Sequence, residues 1–514
     1  MTKPIVYSTS MSKKVRKSGV LLHPTSLPSK YGIGSLGKEA LQCIDLLDKT
    51  GIRLWQILPL GPTGYGDSPY AARSSFAGNE LLIDLEELMI DGYLEYEDIR
   101  IVPVFDRNRI DYQVVRAYKE PLLAKAAQSF LNHADKLECS EYKRFCKEHA
   151  SWLDDYALYS VLCTVYNDSR WFEIWPKELG LREPEALAAA RKQYAAEIEE
   201  VKVLQFFFYR QWLKIRAYAN ERNIEIIGDI PIFVASDSTD AWANRHLFKF
   251  DEDGKQLASS GVPPDFFSET GQMWGNPVYD WPVHIEEEFA WWTERFRHTF
   301  LQCDIIRVDH FRGFAAYWEI PYGNLTAEIG SWERSPGVEL FKTLKKNLGD
   351  DLKIIAEDLG VITPDVEELR DSNDFPGMKI FQFAFTVEKG VFDPTNEFLP
   401  YNCTENSVIY TGTHDNNTTL GWFKALSGEE QDVVRRYFEA PDDQIVWQMI
   451  RQMLHSVCHW AILPMQDWLE LDESGRMNTP ATVGGANWSW RLASLKLEPW
   501  RIERLASLIQ LTGR

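Results

Sequence analysis

The chain lacks most of the features that would take it out of the ordinary globular enzymes. Its seven cysteines, at 43, 139, 146, 163, 303, 403 and 458, are odd in number, far apart and without a C-x-x-C pair. No disulfide framework is implied, and they read as buried thiols of a reducing compartment. No apolar run approaches the ~18 residues that a membrane-spanning helix needs. The start, Met1 to Lys17, is polar and basic and has no apolar stretch of the secretory kind, so a flexible extension over 1–18 and a cytoplasmic location are expected. Basic residues are the minority, 55 Lys and Arg against 76 Asp and Glu, for a net charge of −21. With the acids spread along the chain, neither nucleic acid nor an anionic membrane is an expected partner. A neutral substrate fits better.

Internal repeats are absent too, which removes solenoids and propellers. There is no P-loop and no G-x-S-x-G elbow, so nucleotide use and a serine-esterase mechanism have no support. Gly32 to Gly37 (GIGSLG) matches the dinucleotide fingerprint, but the residues before it, PTSLPSKY, carry two prolines where a strand should lead into the turn. Asp251 to Gly254 lacks the later bidentate Glu of a calcium loop and reads as an exposed turn. His455 and His459, four apart, lack the H-E-x-x-H pattern and read as a packed pair. No cofactor and no metal are expected.

What the chain has is apolar and aromatic material: 45% hydrophobic residues, with 19 Trp, 21 Tyr and 27 Phe, enough to build a large core. Short apolar runs ending in polar residues recur at 54–60, 225–234, 304–311, 353–360, 378–385, 407–417 and 460–468. Runs of this kind are what strands buried on both faces look like. Between most of them lie helix-period stretches, including Glu197 to Asn220 and Ser427 to Phe438. With 79–85 (NELLIDL) as an eighth strand, the pattern predicts a (β/α)8 TIM barrel over 19–514. Two gaps exceed a crossover helix. A mostly helical subdomain is expected over 86–224, and a loop-rich insertion over 235–303, both on the C-terminal face of the strands.

In such barrels chemistry sits where strands end. Four ends carry polar residues suited to it: Asp229; Arg307 and Asp309; Glu357 and Asp358; His414 and Asp415. Arg307 and Asp309, two apart on a strand, face the same way, and a guanidinium favours the ionised form of a carboxyl beside it. Cleaving a glycosidic bond takes two carboxyls, one ionised and one protonated, and Asp309, Glu357 and Asp415 are placed to converge that way. Any one of them alone is equally readable as a helix cap or an ion-pair partner.

Taken together, GYGDSPY (64–70), GDIPIFV (228–234), RVDHFRG (307–313), AEDLG (356–360), GTHDN (412–416), LPMQDW (463–468) and NWSWR (487–491) resemble the 4-α-glucanotransferases, the amylomaltase or disproportionating-enzyme relatives of the α-amylases. The motifs run in family order over nearly the whole chain. The resemblance implies transfer of a segment of an α-1,4-glucan to the 4-OH of another glucan or of glucose, with retention. Maltooligosaccharides, glucose and starch- or glycogen-derived glucans are the implied partners. It also implies Asp309 as nucleophile, Glu357 as acid and base, and Asp415 as a third carboxylate on the donor sugar. Arg307, Asp229, His414 and Tyr70 would surround that sugar, Tyr70 as a stacking platform. Retention calls for about 5–5.5 Å between the Asp309 and Glu357 carboxyls. The stretch 261–277 (GVPPDFFSETGQMWGNP) resembles the family loop that arches over the glucan, with Gln272 and Trp274 as its candidates for acceptor contact and water exclusion. An α-amylase-type hydrolase and a non-catalytic glucan-binding protein remain open alternatives.

Overall fold

A computed structural model of the chain describes residues 15–264, 268–388 and 391–514. In chain order, the strands that frame the site are β1 (Lys17–Leu21), β2 (Leu54–Gln56), β3 (Glu225–Pro231), β4 (Ala258–Val262), β5 (Gln272–Pro277), β6 (Ile305–Asp309), β7 (Ala316–Pro321), β8 (Ser331–Arg334), β9 (Ile354–Ala356), β10 (Gly377–Ile380), β11 (Ser407–Tyr410) and β12 (Trp460–Pro464). Eight of them close into a barrel in the order β1-β12-β11-β10-β9-β6-β3-β2, and their pairings are parallel. The chain folds as a (β/α)8 barrel. Ile226, Ile227, Ile305, Ile306, Ile355 and Val408 are fully buried, as β-branched residues covered on both faces of a parallel sheet should be.

The run 79–85 is not a strand. Glu80–Leu82 forms one 3-10 turn, because the Asn79 side chain accepts from Leu81 N, and Asp84 then caps the helix Leu85–Ile90. Such side-chain acceptors offer the backbone an alternative to a ladder. The eighth strand is β1, which begins at Lys17, two residues inside the expected extension; residues 1–14 of that extension lie outside the described residues.

Between β2 and β3 the chain runs through the helices Tyr112–His133, Lys136–Glu148, Ala150–Tyr166 and Ala195–Glu221. The last doubles as the barrel's own crossover: Trp212 packs against Trp55 of β2 at 6.3 Å and donates its indole N–H to the Gln302 carbonyl at 2.9 Å. It is covered on several sides, so Phe206, Phe207, Phe208, Tyr209, Trp212 and Ile215 are all buried, whereas Leu213 is exposed. The helix Gly428–Phe438 is capped by Ser427, in a reciprocal box with Glu430, close to the expected span. His455 ends the helix Ile445–His455 and His459 lies beyond it, so the two do not share a helical face.

The insertion after β3 departs most from expectation. Within the 235–303 insertion expected to be loop-rich, β4 and β5 pair, and they join β7 and β8 in a four-stranded sheet ordered β5-β4-β7-β8. The register slips between Ser259 and Gly261, and a Cβ at Gly261 would lie 2.2 Å from the Gln272 carbonyl oxygen. Glycine here marks a bulge and a close backbone approach inside a sheet, although in sequence it resembles a turn signal. The helix Ala290–Gln302 then returns the chain to β6.

Gly228, in the middle of β3, lets that returning helix come close: a Cβ there would lie 2.7 Å from Cys303 Sγ. Gly228→Ala is therefore expected to cost about 1–3 kcal/mol through overpacking. Adding Cys303→Ala should recover part of the loss in a double-mutant comparison of melting temperatures. Strict additivity would show that the two residues do not compete for space.

Candidate active site

The register of the barrel sets which side chains meet. Asp229 of β3 pairs with Arg307 of β6, and Arg307 with Ile355 of β9. Glu357 N donates to Val308 O at 3.0 Å and Phe311 N to Glu357 O at 3.1 Å, so the ladder continues one step past β9 and brings Glu357 level with Asp309 on the neighbouring strand. Adjacent strands lie about 4.8 Å apart. Asp229, Arg307, Asp309 and Glu357 thus emerge together at the C-terminal ends of three consecutive strands.

Arg307 is buried and divides its guanidinium between two carboxylates: Nη1 reaches Asp229 Oδ2 at 2.7 Å and Nη2 reaches Asp309 Oδ1 at 3.0 Å, while Nε points to Met378 Sδ at 3.4 Å. Burial works against the charge of Arg307, but Asp229 and Asp309 outweigh it and raise its pKa well above the ordinary value. Tyr70, on a 3-10 turn after β2, donates its hydroxyl to Asp229 Oδ2 at 2.8 Å. Burial pushes Asp229 up to about 7, with Arg307 pulling the other way.

Glu357 is handled differently. His310 takes a left-handed conformation, φ 51°, directly after β6, and its N–H donates to Glu357 Oε2 at 2.7 Å. Leu359 N makes the longer contact, 3.2 Å, to Oε1. Burial pushes the Glu357 carboxyl up to about 8; Arg307 opposes this and Asp309 adds to it. At neutral pH the group is mostly a neutral acid, with Oε1 the oxygen better placed to carry the proton. Two carboxyls on adjacent strands, one clamped by a guanidinium and the other held neutral by its surroundings, match the division of labour between nucleophile and acid.

Across the mouth, the His414 ring stacks on Tyr70 at 5.0 Å and 15°, and Trp488 tilts against both. His414 Nε2 lies 3.4 Å from Asp415 Oδ2, and Asp415 Oδ1 accepts from Asn478 Nδ2 at 2.7 Å. Arg476 donates to the Asp415 carbonyl at 2.7 Å. On the other side, Trp274 of β5 stands edge-on to His310 at 4.8 Å and 90°, and its indole N–H points to Gln272 Oε1 at 3.4 Å. The two loop candidates therefore touch each other, and Trp274 touches the residue next to Asp309; residues 265–267 of the same stretch lie outside the described residues.

Asp358 does not join them. Its side chain turns away from Glu357, pairs with Arg370 and accepts from Met378 N at 2.7 Å, the ion-pair reading of a strand-end acid. Asp467 of LPMQDW is buried, accepting from Thr419 N and from the hydroxyls of Thr411 and Thr419, and Arg491 of NWSWR binds carbonyls of Ser29 and Asp106. Asp467 and Arg491 hold loops in place, whereas Trp488 of NWSWR faces Tyr70 and His414. His310, Arg476, Asn478 and Trp488 were not singled out from sequence. His310 had a signal, its place between a strand-end acid and F-R-G, and Trp488 lies inside NWSWR; Arg476 and Asn478 come from a distant segment whose approach no local pattern announces. Among the described residues, no three His, Cys, Asp or Glu side chains are grouped as metal ligands.

A parallel barrel with a guanidinium-clamped aspartate and, level with it at the strand tips, a glutamate whose pKa is raised by desolvation defines an enzyme that breaks and remakes glycosidic bonds. A family model described as 4-alpha-glucanotransferase matches residues 22–496. The chain is 46% identical over 502 residues to the 4-alpha-glucanotransferase of Synechocystis, covering 97% of this chain and 98% of that protein. It is 43% identical to the Thermus thermophilus 4-alpha-glucanotransferase, covering 97% and 99%. Among solved structures, the amylomaltase from Streptococcus agalactiae in complex with acarbose superposes with a TM-score of 0.92 at 40% identity, covering 97% of this chain and 99% of that one. The chain belongs to the 4-alpha-glucanotransferase family and is an enzyme of that activity.

The raised pKa of Glu357 has a thermodynamic signature. Its folded value, about 8, lies above the ordinary 4.5, so the folded state binds the proton more tightly than the unfolded state, and the wild-type protein loses stability as pH rises between these values. Glutamine cannot lose that proton. Glu357→Gln should melt close to the wild type near pH 4 and progressively above it up to pH 8, with a constant gap beyond. A gap that does not change with pH would show that the carboxyl is ionised in the folded enzyme at neutral pH.

Proposed function

We propose that this site transfers α-1,4-glucan segments by a retaining double displacement with Asp309 as nucleophile and Glu357 as the acid and then the base. An Asp309 oxygen attacks the anomeric carbon of the donor while Glu357 gives its proton to the glycosidic oxygen; that bond breaks, leaving a β-linked glycosyl ester on Asp309. The shortened glucan leaves and an acceptor enters. Glu357, now a carboxylate, takes the proton of the acceptor 4-OH, the acceptor oxygen attacks the same carbon, and the Asp309 ester bond breaks. Two inversions restore the α configuration. Arg307 holds Asp309 in place and stabilises it again as it departs.

Asp415, His414 and Asp229 bind hydroxyls of the donor sugar, and Tyr70, already aligned with His414, offers its ring as a platform. The substrates are maltooligosaccharides, with glucose or a second glucan as acceptor, and starch- or glycogen-derived chains. The cytoplasm is the compartment we propose, and the seven cysteines, none of them in a disulfide, support a reducing one. The observation that carries the mechanistic reading is geometric: Glu357 stands level with an Arg307-clamped Asp309 one strand away, and desolvation raises its pKa. The hairpin of β4 and β5 contributes the preference for transfer, since Trp274 closes over His310 on the side where an acceptor must arrive.

The intermediate can be trapped. With α-maltotriosyl fluoride as donor, fluoride departs from the anomeric carbon without acid help, so Glu357→Gln should glycosylate Asp309 and then stall for lack of a base. Mass spectrometry of the quenched protein is expected to show one added maltotriosyl unit, located on the peptide carrying Asp309 and absent from an Asp309→Asn/Glu357→Gln double variant. With maltotriose, Glu357→Gln should lose about 10²–10⁴-fold in turnover, the range of general acid–base assistance. An adduct on Asp415 instead would reassign the nucleophile.

Pure maltotriose should give glucose plus a ladder of longer chains, and only shorter products if water were the acceptor. Trp274→Ala is expected to raise free-glucose release relative to chain-length redistribution, because the acceptor is held less well and water competes better. An unchanged ratio would remove Trp274 from acceptor selection.

A further inference from the structure

The mechanism leaves one buried histidine at the barrel mouth without a task. His23 follows β1 by two residues, is 6% exposed, and its Nδ1 accepts the Leu58 N–H at 3.2 Å. Burial, with the neighbouring His414 adding to it, pushes its pKa down to about 3. The ring is therefore neutral. With Nδ1 serving as acceptor, its one proton is on Nε2.

His414 has the complementary defect. Its Nε2 edge faces Asp415 Oδ2 at 3.4 Å, whereas Nδ1, on the opposite edge, is buried without a hydrogen-bond partner in the protein. An unpaired buried acceptor of this kind calls for an explanation. His23 and His414 line the same cavity, of about 20 Å³, together with Ser26, Gln466 and Trp490. A water molecule needs about 10–15 Å³ of such space and two to four polar partners. The cavity has the volume, and two of its lining imidazoles bring a donor, His23 Nε2–H, and an acceptor, His414 Nδ1.

We propose that His23 is a positioning residue for His414: its Nε2–H, relayed by one water in this cavity, occupies the His414 Nδ1 lone pair and so keeps the His414 proton on Nε2. The other tautomer would present a lone pair to the Asp415 carboxylate and to any sugar hydroxyl oriented to accept. His23 thus fixes, from outside the substrate's reach, which edge of His414 donates. The inference rests on the reading of His414 as a donor-sugar contact, but the tautomer itself exists without substrate and is measured without it.

The test uses the full chain and two variants. His23→Asn keeps an amide oxygen close to the place of Nδ1, preserving the Leu58 bond, and withdraws the group that reaches the cavity. His23→Gln places an amide nitrogen near the position of Nε2. In enzyme labelled with ¹⁵N-histidine, the His414 ring nitrogens, assigned with His414→Gln, report the tautomer. Wild type and His23→Gln should show His414 protonated on Nε2, and His23→Asn a mixture. For maltotriose transfer, kcat/KM should fall roughly tenfold in His23→Asn, the equivalent of one lost hydrogen bond, and less than about threefold in His23→Gln. A folded His23→Asn whose His414 keeps its Nε2 proton overturns the proposal. So do equal losses of activity and melting temperature in both variants, which would make His23 a packing residue. A tautomer that shifts as expected while transfer is unaffected upholds the positioning and overturns the sugar contact of His414.

Discussion

The Arg307 guanidinium lies in the barrel mouth, buried from water, and two carboxylates keep it charged there. A buried ion of this kind is costly to desolvate, and its pairs are seldom worth much to stability by themselves. What the arrangement provides is geometry. Asp229 takes one nitrogen, Asp309 another and Met378 lies against the third, so the position of the Asp309 oxygens follows from a rigid fork. The same positive charge opposes the burial of Glu357 without reversing it. One arginine therefore acts on both Asp309 and Glu357, holding the first while leaving the pKa of the second raised.

The environment of Glu357 shows how the backbone contributes. The left-handed turn at His310 aims an N–H at one oxygen of Glu357, and the His310 ring meets the edge of Trp274. His310 thus joins Glu357 on one side to the β4–β5 hairpin on the other. A displacement of that hairpin would be felt at Glu357 through a single residue.

How much was legible in the sequence depended on distance along the chain. Apolar runs ending in polar residues announced most of the barrel strands, because strands covered on both faces must be apolar throughout and the chemistry sits at their ends. Arg307 with Asp309, and Glu357, could be placed for that reason. NELLIDL misled because it shares the composition of a buried strand, and Asn79 and Asp84 act as caps only once the chain turns. The β4–β5 hairpin was hidden by Gly261, which permits a close strand contact and in sequence resembles a turn. Asn478 and Arg476 arrive at Asp415 from about sixty positions away, and no spacing rule reaches that far.

The barrel closes on its first strand. β1 pairs with β2 on one side and with β12 on the other, Lys17 standing opposite Trp460, and the Arg16 side chain binds the carbonyls of Leu454, Ser456 and Thr512. During synthesis β1 has its first partner early and its second only after more than four hundred further residues have been added. Until then the sheet has two open edges, and the growing chain must hold an unclosed, apolar sheet against association with its neighbours. Closure is a contact of very high order, and such contacts fold slowly. The ring that aligns Asp229, Arg307, Asp309 and Glu357 thus closes only when β12 docks on β1.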